Sequence, residues 1–116
     1  MKKEQNLISE KDCHLDNLIQ KIDSPNWILR KTVAEELGNF NNLKSAFTCL
    51  EKLVTDPDRF VRKSALLSIS KFDDKKNINR LLEILSDSKQ NDFEEGIKKI
   101  ASTLFIQLTK KRENIS

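Results

Sequence analysis

The chain has 116 residues, a net charge of +3 at pH 7, and 37% hydrophobic and 34% charged residues. These values are typical of one globular domain and exclude a disordered or fibrous chain. With only two glycines, two prolines and no tyrosine, the composition favours helices over strands. The charge excess is compatible with a nucleic-acid partner but too small to require one.

The N-terminal segment, residues 1–12, carries only Leu7 and Ile8 as apolar anchors, so we interpret it as an arm or a short capping helix. It lacks the apolar core of a signal peptide, and no later segment approaches the roughly 20 apolar residues of a membrane span. A cytoplasmic location is therefore expected. Cys13 and Cys49 have neither metal-site spacing nor the density of a disulfide framework, which predicts two free thiols.

An internal repeat organises the rest of the chain. The segment SPNWILRKTVAEELGNF (24–40) aligns without a gap with DPDRFVRKSALLSISKF (56–72), a period of 32 residues. Apolar residues recur every three or four positions in both segments and in those before them, which marks one face of a helix. Each unit is predicted to be helix, turn, helix. The matched apolar positions are Leu29, Val33, Leu37 and Phe40 in the first unit and Val61, Ala65, Ile69 and Phe72 in the second.

The turn between the helices of each unit contains a proline, which ends one helix and allows the next to begin. Two assignments of the helix N-cap are open. Either Ser24 and Asp56 cap the second helices, with the prolines in the first helical turn, or Asn26 and Asp58 do so.

A third, altered unit follows. INRLLEILSDS (78–88) resembles a first helix and GIKKIASTLFIQL (96–108) a second, but the connection is about five residues longer and lacks proline. Asp92 and Glu95 fit a capping box, so the last helix is predicted to start there and run to about Lys111. The predicted boundaries are repeats at about 13–41, 42–74 and 77–111, within a domain of residues 13–112, and a C-terminal tail at 113–116.

The motif DPDRFVRKSA (56–65), with its weaker counterpart SPNWILRKTV (24–33), resembles the HEAT repeat, and in particular the short HEAT-like repeat of phycobilin-lyase relatives. The resemblance covers about residues 12–110. It implies an all-α fold, a right-handed α-solenoid (α-α superhelix) of about three HEAT-like helical hairpins. In that family, the Asp of the turn and the following Arg form a hydrogen-bond ladder between neighbouring repeats, and second helices line a concave face.

Carried over by residue, the structural ladder is expected to comprise Arg30, Asp56, Arg62, Asp87 and Lys98, with Ser24 at the first Asp position. The next position along each second helix is expected to face solvent on the concave side and to form a lysine row. The residues expected to bind a partner are Trp27, Lys31, Glu35, Lys63, Leu67, Lys99 and Thr103.

The predicted function is that of a non-catalytic scaffold or adaptor that binds another protein on this concave face. Two alternatives stay open. The resemblance implies a bilin-lyase-like or phycobiliprotein-handling factor or lyase subunit, and the lysine row is compatible with nucleic-acid binding. No catalytic, metal, cofactor or membrane site is expected, because the single histidine, His14, has no suitably spaced partner and two glycines cannot form a phosphate-binding loop. The oligomeric state stays open.

Overall fold

The computed structural model describes residues 14–115, and these form six α-helices and one 3₁₀ turn, with no β-strand among them. Residues 1–12, interpreted above as an arm or cap, and Cys13 lie outside the described residues. The elements are α1 (14–20 of the described range), α2 (Trp27–Leu37), a 3₁₀ turn (Gly38–Phe40), α3 (Lys44–Leu53), α4 (Arg59–Ile69), α5 (Ile78–Asn91) and α6 (Glu95–Ile115). The prediction of an all-α solenoid of helical hairpins is confirmed.

The second helices of the three units form a continuous stack, in which α2 contacts α4 and α4 contacts α6. The first helices pack behind them, α3 on α2 and α4, and α5 on α6. One apolar core runs through all three units. Its most deeply buried side chains include Leu37, Leu50, Leu66, Ile69, Leu81 and Leu85. Burial of each such side chain contributes about 1.5–3 kcal/mol to stability.

The N-caps of the second helices are Asn26 and Asp58, so the second of the two assignments is correct. The Asn26 side chain accepts a hydrogen bond from the N–H two residues on (2.9 Å), and Asp58 accepts from the N–H groups of Phe60 and Val61, two and three residues on (2.8 and 3.1 Å). Ser24 and Asp56 accept from the N–H of these caps (3.2 and 2.9 Å). The prolines therefore precede the caps and lie outside the first helical turn.

The second helix of the third unit begins at Glu95, as predicted, but without the expected capping box. Asp92 does not form a capping box with Glu95. Instead, Asp92 accepts from the N–H of Glu94 (2.9 Å), as Asp56 does in its own turn. α5 has 14 residues and α3 has 10, so the turn before α6 lies later than a constant 32-residue period predicts. At its other end α6 continues to Ile115, past the expected end and into the predicted tail.

The apolar stripe of α2 differs from our prediction. Leu29, predicted to face the core, is 42% exposed, so that prediction is wrong; the core stripe of α2 is limited to later positions such as Val33.

Gly38 marks a close approach between units. A Cβ on Gly38 would lie 3.0 Å from the hydroxyl oxygen and 3.1 Å from the Cβ of Ser68 in α4.

Candidate functional site

The first inter-unit contact joins Arg30 of α2 to the turn before α4. The Arg30 guanidinium donates to both carboxylate oxygens of Asp56 (2.9 and 3.1 Å) and to the carbonyl of Ser24 (2.7 Å). The hydrogen bonds to Asp56 raise the pKa of Arg30 above its usual value, and burial opposes this. This two-point geometry is specific to arginine.

The second contact lies one unit further along the chain. It has the same geometry as the first contact and is less exposed to solvent. Arg62 donates to both oxygens of Asp92 (2.9 and 3.2 Å) and to the carbonyls of Asp56 and Pro57 (2.9 and 3.1 Å). The exposed fractions of the Arg62 and Asp92 side chains are only 9% and 4%. Each arginine thus holds its own turn and the aspartate of the following unit.

The structure does not place two of the expected ladder residues in this network. Asp87 lies on α5, where its carboxylate accepts from Asn91 (2.7 Å), and Asp92 occupies the position assigned to it. Lys98 contacts Glu95 at 3.5 Å within its own helix. A sequence signal existed for Asp92, since it precedes Lys98 by six residues, the spacing that separates Asp56 from Arg62.

The two ladder arginines do not contribute to a binding surface, because each is paired with an aspartate inside the fold. The other row belongs to what we call the second-helix face, defined by Lys31, Glu35, Lys63, Leu67, Lys99 and Thr103. All six side chains are exposed except Lys31, which is half-buried. They occupy equivalent positions on α2, α4 and α6.

The charges of the second-helix face are not balanced along its length. Lys31 pairs with Glu35 at 3.1 Å. Among residues 14–115, Lys63 and Lys99 form no ion pair. Leu67, one turn after Lys63 on α4, is 46% exposed. The face therefore offers positive charge and apolar surface together on its second and third helices.

Two aromatic side chains lie at the start of α2 and α4, beside this face. The rings of Trp27 and Phe60 lie with centroids 5.5 Å apart and planes tilted by 30°, and both stay about 40% exposed. The guanidinium of Arg59 lies 4.9 Å from the centroid of the Phe60 ring. Stacked and partly exposed aromatic rings are common anchor points for binding partners.

A recess of about 180 Å³ opens between the starts of α4 and α6. Its lining residues are Arg59, Phe60, Lys63, Glu94, Gly96, Ile97 and Ile100. Sequence reasoning missed Gly96 and Ile100. Gly96 falls at the position of Phe60 and Ile28, as the match of Lys98 to Arg62 already implies.

The remaining chemically reactive side chains do not form a cluster. His14 is exposed, with its ring 5.8 Å from that of Phe40 and Nε2 4.0 Å from a Glu36 oxygen. Cys49 is buried in the core, and this burial raises the pKa of its thiol. Across residues 14–115, no group of three or more His, Cys, Asp or Glu side chains is placed to hold a metal ion. No described helix is long and apolar enough to cross a bilayer.

The repeat geometry and the arginine–aspartate contacts agree with a comparison to known families. A family model described as HEAT repeats matches residues 15–96, well over half of the chain. The chain belongs to the HEAT repeat family. HEAT repeats generally mediate contacts between proteins. Among curated proteins, none matches this HEAT repeat chain significantly.

Proposed function

We propose that this HEAT repeat chain is a non-catalytic scaffold or adaptor that binds a partner protein on its second-helix face, the concave side of the solenoid. The observation that supports the proposal is that two adjacent cations have different environments. Arg62 is buried in the ladder, whereas Lys63, the next residue, is exposed beside Phe60 and Leu67. Aromatic and apolar side chains form the centre of protein interfaces, and charged residues around them provide electrostatic complementarity to the partner.

The mode of recognition follows from the fold. Three parallel second helices present side chains at equivalent positions, so a partner segment lying across them meets one contact group per helix. The ladder fixes the relative position of these helices, which limits the loss of conformational freedom on binding. A pre-formed face of this kind favours one partner geometry.

The test compares two double variants in affinity purification from the source cell. Lys63→Glu/Lys99→Glu reverses the two unpaired charges of the face. Lys75→Glu/Lys76→Glu changes net charge by the same amount in the exposed α4–α5 connection and serves as the matched control. We expect the first variant to lose partners that the wild-type chain and the control retain, with equal helicity by circular dichroism. Identical partner profiles for all three proteins would refute this choice of face.

Nucleic-acid binding through the same lysines is tested in parallel. A fluorescein-labelled oligonucleotide titrated against the chain at several salt concentrations would show a steep fall in affinity with salt if phosphate contacts dominate. We expect only weak binding, because two unpaired lysines neutralise few phosphates. Tight, salt-sensitive binding that Lys63→Glu/Lys99→Glu abolishes would replace the proposed function.

A further inference from the structure

The recess beside Gly96 adds a specific contact to the proposed second-helix face. We propose that it receives one apolar side chain of an acidic segment in the partner protein, whose carboxylates pair with Lys63 and Lys99. The inference rests on the proposed function and deepens it, since it names the chemistry of the partner. Its evidence comes from the glycine, the charges and the size of the recess.

Nothing in the fold requires a glycine at position 96. None of the described glycines has a positive φ, so Gly96 needs no left-handed backbone. A Cβ added there would meet no atom within 4 Å, in contrast to Gly38. Gly96 is the second residue of α6, and glycine is a poorer helix former than alanine. What Gly96 does provide is open space, at the position filled by Ile28 and Phe60 in the other units.

The inner walls of this space are apolar, its rim carries Arg59, Lys63 and Glu94, and its size suits one side chain. Phe60, Ile97 and Ile100 line it, and Ile97 belongs to the core, so the recess reaches down to the packed interior. A volume of about 180 Å³ corresponds to roughly six water molecules at ~30 Å³ each. Water against the apolar inner walls has few polar partners, so an aliphatic or aromatic side chain displaces it favourably.

The charges around the recess select an acidic segment. Arg59 lies 3.8 Å from Glu94 and Lys98 lies 3.5 Å from Glu95, so these two pairs are locally balanced. The remaining charge at the rim is that of Lys63, and Lys99 lies at the same position one helix further on. A basic segment would be repelled by both lysines. An aliphatic anchor in a recess lined by isoleucine favours a polypeptide over a nucleic acid, whose affinity comes mainly from phosphates.

The test selects ligands from a random displayed peptide library on the wild-type chain and measures the enriched peptides by fluorescence anisotropy. Four variants are compared with wild type: Gly96→Leu, which fills the recess; Gly96→Ala, which adds one methyl group; Gln90→Leu, which adds an exposed leucine on α5; and Lys63→Glu/Lys99→Glu. Phe60→Ala, which removes a recess wall, is a second probe of the recess.

We expect acidic peptides with one apolar residue to be enriched. Gly96→Leu and Lys63→Glu/Lys99→Glu should each weaken their binding at least tenfold, and Phe60→Ala several-fold. Gln90→Leu should stay within about twofold of wild type, and Gly96→Ala should weaken binding less than Gly96→Leu does. Trp27 is the only tryptophan of the chain and contacts Phe60, so its emission should shift on binding and report occupancy without a label.

Two outcomes separate failure of the recess from failure of the proposed function. If the peptides respond to Lys63→Glu/Lys99→Glu but not to Gly96→Leu or Phe60→Ala, the recess is not the anchor site and the second-helix face stands. If no peptide is enriched, if the enriched peptides are basic, or if none of these substitutions weakens binding, both are overturned. Displacement of the peptides by a polythymidine oligonucleotide that binds more tightly also overturns both.

Discussion

Replacing Arg62 by methionine tests the central structural claim, that the buried ladder holds the units together. The change keeps an unbranched side chain of similar length but removes two hydrogen bonds to Asp92 and two to backbone carbonyls. The Asp92 carboxylate, 4% exposed, then keeps only the N–H of Glu94 as a partner. Breaking a buried ion pair on one side costs about 3–5 kcal/mol.

Such a loss is large for a chain of this size. Domains are stable by about 5–15 kcal/mol, and a loss of 1 kcal/mol lowers the melting temperature of a domain near 100 residues by roughly 4 °C or more. We therefore expect Arg62→Met to lower the melting temperature by at least ~12 °C and to shift the urea midpoint without a large change in slope. Circular dichroism at 222 nm follows both transitions.

Arg80→Met is the matched control. Arg80 also donates to carboxylates, those of Glu51 and Glu83, but its side chain is 54% exposed. Exposed pairs contribute about 0–1 kcal/mol, so this variant should melt within a few degrees of wild type. Adding Asp92→Asn to Arg62→Met removes the orphaned charge and should recover part of the lost stability. If Arg62→Met costs no more than Arg80→Met, burial of the ladder does not matter and the reasoning is wrong.

Four further predictions concern three positions. Gly38→Ala should destabilise the fold by about 1–3 kcal/mol through overpacking against α4, measured by urea unfolding, and a neutral result would contradict the close approach. In a Cys13→Ser background, native Cys49 should react far more slowly with a maleimide than the urea-unfolded chain does. Burial raises the pKa of the Cys49 thiol in the folded state, so the protonated thiol stabilises the fold at pH values below its ordinary pKa of about 8.5. This stabilisation is lost as pH rises above that value. An unfolding free energy that does not change between pH 8 and 10 would refute this. Phe60→Ala should shift the emission of Trp27 to longer wavelength, since it exposes the indole, and an unchanged spectrum would contradict the stacked pair.

The sequence allowed the helical hairpins to be predicted because the 32-residue period and the apolar stripes are local patterns. The ladder aspartate of the third unit, Asp92, was missed because a longer α5 moved it away from the position that a constant period indicates, although its six-residue spacing from Lys98 marks it. The prediction that Leu29 faces the core was wrong for a different reason. An apolar stripe marks one face of a helix but does not show which neighbouring element covers each residue of that face. The exposure of Lys63 and Lys99 was predictable from the repeat. The recess was not, because it arises from a missing side chain on one helix and two walls on others.

The middle unit differs from its neighbours in one respect that bears on how such chains grow. It carries Asp56, which accepts from the unit before it, and Arg62, which donates to the unit after it. Both halves of the junction therefore reside in one segment of sequence. Tandem copies of this segment would regenerate the same contact at every boundary, so gene duplication or design could lengthen the array one hairpin at a time without redesigning its core.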